Sequence, residues 1–120
     1  MMGTITNRID SPKIKDDRYA KIIDEIIQQI TIEITPLRII IFGSIARNEA
    51  KSDSDIDLLV VMPNGTHRRK TAHILYRRIR KIDVPLDILV ATSSDLENYQ
   101  YNSSLIYGHI LQEGIEVYAA

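Results

Sequence analysis

The first long stretch of regular hydrophobic spacing lies between Asp16 and Pro36. Apolar side chains recur there three or four residues apart, which is the period that places them on one side of an α-helix. This stripe comprises Tyr19, Ile22, Ile23, Ile26, Ile27 and Ile30. Asp16 or Asp17 can cap the start of a helix, and a proline cannot continue one, so the pattern predicts a helix between Asp16 and Pro36.

Most of the other apolar residues fall into short continuous runs separated by polar turns. Runs rich in β-branched residues predict buried strands at 37–42, 55–62 and 86–91, and a final short strand at 115–118. The segments between them predict a turn into a short helix at 43–50, a long helix at 66–82, a short helix from 92–94 to about 99, and a helix at 104–113. Helices alternating with strands predict an α+β (α/β-like) fold, in which helices pack on a mixed sheet of three to four strands.

The size and composition suit one domain in a chain of 120 residues. We expect the domain to span residues 16–120 and the polar segment 1–15, which Pro12 interrupts, to be a flexible tail. The chain has no cysteine, which excludes disulfides and thiolate metal sites. It has no apolar run of the roughly 20 residues that a membrane helix needs, and its first residues do not resemble a signal peptide. These features predict a cytoplasmic protein that does not enter a membrane.

The distribution of charge indicates which classes of partner suit the protein. The net charge of −1 disfavours a nucleic acid as the main partner, because proteins that bind a phosphate backbone usually have a clear basic excess. One side of the predicted helix 66–82 is nevertheless basic; it carries Arg68, Arg69, Lys70, Arg77, Arg80 and Lys81. Such a side is usually a solvated surface, but it is also the best candidate in this chain for contact with an acidic partner or an RNA.

Two aspartates at the start of the second predicted strand are the first candidates for chemistry. Residues two apart in a strand point to the same face, so Asp55 and Asp57 place two carboxylates side by side. A divalent cation removes their repulsion, and oxygen-only ligands suit magnesium. Asp-x-Asp also occurs in ordinary loops, but Asp87 supplies a third carboxylate on another apolar strand, where burial would be costly without a partner. A two-metal phosphoryl-transfer site needs such a set, and a buried salt bridge from Asp87 to Arg47 or Arg38 is the alternative.

Gly43 and Ser44 stand where the first predicted strand meets the following turn. Glycine permits a tight turn and lets a phosphate approach the backbone, and the serine hydroxyl can donate to a phosphate oxygen. The alternative for Ser44 is a helix N-cap, and both roles can hold together if the hydroxyl caps the helix without substrate. Arg47 either contacts a phosphate or the acceptor, or pairs with Asp55 or Asp53; the sequence favours neither. His67, His73 and His109 have no spacing typical of metal ligands.

Gly43-Ser44, followed after ten residues by Asp55-x-Asp57, resembles the signature of the DNA polymerase β-like nucleotidyltransferase superfamily. Together with Arg47, the Ser54-Asp55 pair and Asp87, it is most similar to the minimal nucleotidyltransferase (MNT) branch over roughly residues 18–118. Asn48 stands where this family usually has glycine. Asparagine tolerates left-handed backbone better than other non-glycine residues, so we expect the turn to survive.

The resemblance implies a polymerase β palm-like fold and a magnesium-dependent enzyme. It implies that Asp55, Asp57 and Asp87 are catalytic and hold two Mg²⁺ ions, while Gly43, Ser44 and Arg47 hold the phosphates of ATP. Members of this branch are commonly antitoxins that transfer AMP to a tyrosine of a HEPN-domain toxin, so a HEPN toxin is the expected partner. The alternatives are a catalytically weak module that neutralises its partner by contact, and a nucleotidyltransferase that acts on a small molecule.

Overall fold

The computed structural model describes residues 14, 16–51, 53–98 and 105–120. Helix α1, Asp17–Glu33, begins after the N-cap Asp16, whose carboxylate accepts a hydrogen bond of 3.0 Å from the Arg18 N–H. This confirms the predicted first helix and its cap. Ile14 is buried in the core. The other residues of the predicted tail 1–15 lie outside the described residues.

Among the described residues, four strands form one mixed sheet in the order β3-β2-β1-β4. They are β1 (Arg38–Phe42), β2 (Ile56–Met62), β3 (Leu86–Thr92) and β4 (Ile115–Ala119). Strand β1 is antiparallel to both of its neighbours, whereas β2 and β3 are parallel. The predicted α+β fold with a mixed sheet is therefore confirmed, and all four predicted strands are present.

Helix α2 spans Arg68–Arg78 and is shorter than the predicted 66–82. His67 caps its start by accepting a hydrogen bond of 3.1 Å from the Lys70 N–H at Nδ1. The chain leaves the helix at Ile79 and turns at Lys81, which has a left-handed φ of 63°. Beyond the helix the Gln29 side chain of α1 accepts from the Arg80 N–H over 2.8 Å and donates to the Arg80 carbonyl over 3.0 Å, so a tertiary contact holds Arg80 outside the helix.

Two helices of the described chain follow β3. Helix α3, Ser93–Glu97, begins with a capping box in which the side chains of Thr92 and Asp95 each accept from the other residue's backbone N–H. Helix α4, Leu105–Glu113, ends at Gly114, whose N–H donates to the Ile110 carbonyl. In the part of the chain that the structure describes, no helix is both long and apolar enough to cross a membrane.

Side chains alternate along each strand, so the sheet has two faces with different neighbours. Helices α1 and α2 cover the first face, which carries Ile39, Ile41, Leu58, Val60, Ile88 and Val90. Helices α3 and α4 partly cover the second face, which carries Ile40, Leu59, Val61 and Ala91 together with Leu96 and Ile110 of the helices. Alternation places Asp57 and Asp87 on this second face, at the start of β2 and β3.

Candidate functional site

Phe42, Asp57 and Asp87 lie side by side across three neighbouring strands. The register pairs Asp57 with Phe42 of β1 on one side and with Asp87 of β3 on the other. Asp55 immediately precedes β2 and is exposed, as is Asp87, whereas Asp57 is half-buried between its neighbours. The sheet therefore brings the three predicted acids to one end of its second face.

The loop before β2 is fixed by two hydrogen bonds. The Tyr19 hydroxyl of α1 donates to the Lys51 carbonyl over 2.8 Å, and the Lys51 N–H donates to Ser54 Oγ over 2.7 Å. Ile56 N–H then donates to the Pro85 carbonyl, which joins the starts of β2 and β3. These contacts hold the backbone on both sides of Asp55.

Negative charge outweighs positive charge around Asp57. Its pKa is raised, first by partial burial, then by the negative charges of Asp87 and Asp55, while Arg47 opposes the shift more weakly. When the pKa of a carboxylate is raised in this way, a nearby cation stabilises its ionised form. The electrostatics of this end of the sheet therefore fit the binding of a positively charged ion.

The donor set fits magnesium only in part. The acids offer hard oxygen ligands, but among the described residues no three Asp, Glu or His side chains converge closely enough to hold a metal ion. Magnesium commonly takes one or two carboxylates and completes its shell with waters and substrate phosphates. Asp55 and Asp57 supply two such carboxylates, so the arrangement fits an ion that arrives with a phosphate.

Asp87 differs from expectation in one respect. The sequence predicts a buried carboxylate at this position, but Asp87 is exposed on β3, an edge strand of the described sheet. The alternative of a buried salt bridge is also wrong, because Arg38 pairs with Glu116 and Arg47 pairs with Glu49 and Glu113. Asp87 is thus a solvent-facing acid beside Asp57.

Gly43 lies against the Asp57 side chain. Its φ is +79°, and a Cβ atom built on it would stand 2.2 Å from Asp57 Oδ2. Any side chain at this position would displace the carboxylate. Glycine is therefore required here both by the backbone conformation and by the close approach of Asp57.

Residues 44–48 form turns, so the short helix predicted after Gly43 is wrong. The Arg47 N–H donates to the Gly43 carbonyl and the Glu49 N–H donates to the Ser44 carbonyl, over 3.1 and 2.8 Å. Asn48 then adopts a φ of 59°, which confirms that asparagine accepts the left-handed conformation and explains why the helix does not propagate.

The Ser44 hydroxyl has no hydrogen-bond partner among the described residues, and no helix starts there for it to cap. The N-cap interpretation is therefore wrong. The hydroxyl is half-buried in the turn beside Gly43 and remains available to a ligand.

Arg47 leaves the same turn as an exposed side chain. Its guanidinium contacts Glu49 at 2.7 Å and Glu113 of α4 at 3.7 Å, and the hydrogen bond to Glu49 is the largest cause of its raised pKa. The alternative that Arg47 pairs with Asp55 or Asp53 is therefore wrong. A contact with phosphate stays a prediction.

A cleft of about 460 Å³ opens beside Gly43, between the end of β1 and helix α4. Its described lining consists of Phe42, Gly43, Arg47, Ile106, His109, Ile110 and Glu113. The sequence predicts the helix but not the presence of Ile106 and Glu113 beside Gly43, because they lie 63 and 70 residues further along the chain. The pairing of β4 with β1 carries α4 to this end of the sheet.

Residues 17–115 match the family of the nucleotidyltransferase domain. Two solved structures share the fold. A candidate nucleotidyltransferase from Sulfolobus solfataricus aligns with a TM-score of 0.58 and 22% identity over 82% of this chain and 78% of that one. A toxin-antitoxin structure with AMP-PNP aligns with a TM-score of 0.55 and 20% identity over 81% and 73%. The chain matches none of the curated proteins.

Proposed function

The chain belongs to the nucleotidyltransferase domain family, and we propose that it is a magnesium-dependent enzyme that transfers AMP from ATP to a protein hydroxyl. The acceptor we propose is a tyrosine of a HEPN-family toxin, which makes this chain the antitoxin of a cytoplasmic toxin-antitoxin pair. The observation that carries the proposal is the contact between Gly43 and Asp57, because it joins a phosphate-type turn to a row of carboxylates.

The turn accounts for triphosphate binding. Gly43 presents backbone without a side chain, and Ser44 presents a hydroxyl that makes no internal hydrogen bond among the described residues. Arg47 adds a guanidinium, which suits phosphate oxygens geometrically. Its present partners are exposed carboxylates, and exposed ion pairs of this kind are worth about 0–1 kcal/mol. A phosphate can therefore replace them at small cost.

The acids account for the transfer. Asp55 and Asp57 would hold one magnesium ion together with the phosphates, and Asp87 would hold a second. The bound ions would neutralise phosphate charge and make the attacking hydroxyl more acidic. Asp87 is exposed beside Asp57 and would accept the proton of the tyrosine hydroxyl, whose ordinary pKa is about 10. The phenolic oxygen forms a bond to the α-phosphorus, the bond from that phosphorus to the bridging oxygen breaks, and pyrophosphate leaves. The residues mainly position the reactants and stabilise charge.

A partner protein is supported by two observations. The toxin-antitoxin structure with AMP-PNP shares this fold, and the motif around Gly43 and Asp57 resembles the branch in which such partners carry a HEPN domain. A protein acceptor also fits the exposed position of Asp87, because a large substrate can approach it from solvent.

The test is to incubate the protein with ATP, magnesium and the protein encoded beside it, and to measure the partner's mass. We expect addition of AMP to a tyrosine, which peptide fragmentation would locate. GTP in place of ATP tests the nucleotide. A partner that is neutralised without any change in mass would instead establish inhibition by contact alone.

A further inference from the structure

Gly43 and Arg47 line the cleft between the end of β1 and helix α4 and belong to the proposed phosphate site, but the transfer mechanism does not use the other described lining residues. Phe42, Ile106 and Ile110 give it an apolar lining, whereas Arg47, His109 and Glu113 give it polar groups. Its volume of about 460 Å³ lies within the usual range for small-molecule sites, which are mostly apolar with a few polar groups. These properties suit a flat aromatic ring attached to a polar sugar.

The cleft is continuous with the proposed phosphate site because both include Gly43. This residue lines the cleft and also touches Asp57. A ligand with its phosphates at the turn therefore has direct access to the cleft for its remaining part.

The order of the strands separates the cleft from Asp87. Gly43 and Phe42 extend from β1 on one side of Asp57, and Asp87 lies in β3 on the other side. An acceptor hydroxyl that gives its proton to Asp87 thus approaches from the β3 side and leaves the cleft to the nucleotide. We propose, on the basis of the proposed function, that this cleft binds the nucleoside of the triphosphate, with Ile106 as its apolar contact at the rim.

Ile106 is the residue best suited to a test. Its side chain is 52% exposed, so substitution should not disturb the core. Ile32 of α1 is a matched control, because it is an isoleucine that is 79% exposed on a helix covering the opposite face of the sheet. Tripolyphosphate, which has no nucleoside, is the matched ligand for AMP-PNP.

The first experiment measures both ligands by calorimetry with magnesium. We expect Ile106→Ala to weaken AMP-PNP binding about fivefold, to leave tripolyphosphate binding unchanged, and Ile32→Ala to affect neither. Equal weakening of both ligands, or of neither, overturns the assignment of the cleft while leaving the proposed function intact. If the unmodified protein binds neither ligand, the proposed function fails and this inference fails with it.

The second experiment uses the absence of tryptophan from the sequence. Ile106→Trp provides a single indole at the cleft, and a nucleobase stacked on it should quench its fluorescence. We expect quenching by AMP-PNP with magnesium, none by tripolyphosphate, and none by either ligand in Ile32→Trp. Identical responses of the two tryptophan variants to AMP-PNP would show that the nucleoside lies elsewhere.

Discussion

The backbone of Gly43 and the carboxylate of Asp57 are packed so closely that no Cβ atom fits between them. The ideal Cβ position at Gly43 is 2.2 Å from Asp57 Oδ2 and 3.1 Å from its Cγ. The same residue has a left-handed φ of +79°. One contact therefore fixes the distance between the turn proposed to hold phosphates and the acid proposed to hold magnesium, so a change at Gly43 should affect both folding and nucleotide binding.

We expect Gly43→Ala to lower the free energy of unfolding by more than the roughly 1–2 kcal/mol that a left-handed alanine costs. The excess arises because the new methyl group must displace the Asp57 carboxylate. Gly65→Ala is the control, since Gly65 has a φ of +91° but no atom within 4 Å of its Cβ position. Urea unfolding of both variants measures this difference. Equal decreases in the free energy of unfolding would mean that the contact with Asp57 does not contribute to the cost of Gly43→Ala.

A double variant isolates that contact. In an Asp57→Ala background the carboxylate is gone, so Gly43→Ala should cost only the backbone strain and should approach the cost of Gly65→Ala. Neighbouring residues that interact give non-additive changes of this kind. A Gly43→Ala cost that is the same with and without Asp57 would contradict this explanation.

The raised pKa of Asp57 makes the metal-free protein sensitive to pH. Partial burial, Asp87 and Asp55 raise this pKa above its ordinary value of 3.8, so the folded state binds the proton more tightly than the unfolded state. The resulting stability is complete below the ordinary pKa and is lost as pH rises through the folded pKa. Asparagine does not titrate, so Asp57→Asn removes this pH-dependent loss of stability. We therefore expect the stability of Asp57→Asn to decline less between acid and neutral pH than that of the unmodified protein.

Urea unfolding at a series of pH values, with EDTA present, measures this effect. Asp53→Asn is the control, because Asp53 is an exposed residue of the loop before β2 and is not part of the row formed by Phe42, Asp57 and Asp87. Parallel stability curves for the unmodified protein and Asp57→Asn would refute the prediction.

Ser44 provides a separate test of the turn. Because its hydroxyl makes no hydrogen bond among the described residues, Ser44→Ala should leave the melting temperature unchanged. Loss of a hydrogen bond to a charged phosphate costs about 1.5–3 kcal/mol, so affinity for AMP-PNP with magnesium should fall about tenfold or more. Ser54→Ala should lower the melting temperature and leave the affinity for AMP-PNP unchanged, since Ser54 Oγ accepts from the Lys51 N–H. Unchanged affinity in Ser44→Ala would remove Ser44 from the proposed site.

The sequence predicted the elements well because their patterns are local. The stripe of α1, the apolar runs of the strands and the cap at Asp16 each depend on residues a few positions apart, and all are present in the structure. The resemblance likewise placed Gly43 and Asp57 together, and the register of β1 with β2 brings them into contact.

The errors concern features that tertiary contacts decide. The exposure of Asp87 depends on how other elements pack around the start of β3, which no local pattern reveals. The partners of Arg47 include Glu113 from a helix far along the chain. Residues 44–48 form a turn and not the predicted helix because Asn48 takes a left-handed conformation. Asparagine permits this conformation but does not require it.

The different positions of the acids predict different defects. Asp57 touches Gly43, whereas Asp87 is exposed on the far side of Asp57 from the turn. Asp87→Asn should therefore keep most of the affinity for AMP-PNP with magnesium but abolish AMP transfer, because asparagine cannot take the proton from the acceptor. Asp55→Asn combined with Asp57→Asn should lose both. Asp83→Asn, an exposed acid just before β3, should retain both activities. Calorimetry and mass spectrometry of the partner separate the two functions, and loss of nucleotide affinity in Asp87→Asn equal to that of the double variant would contradict the division of roles.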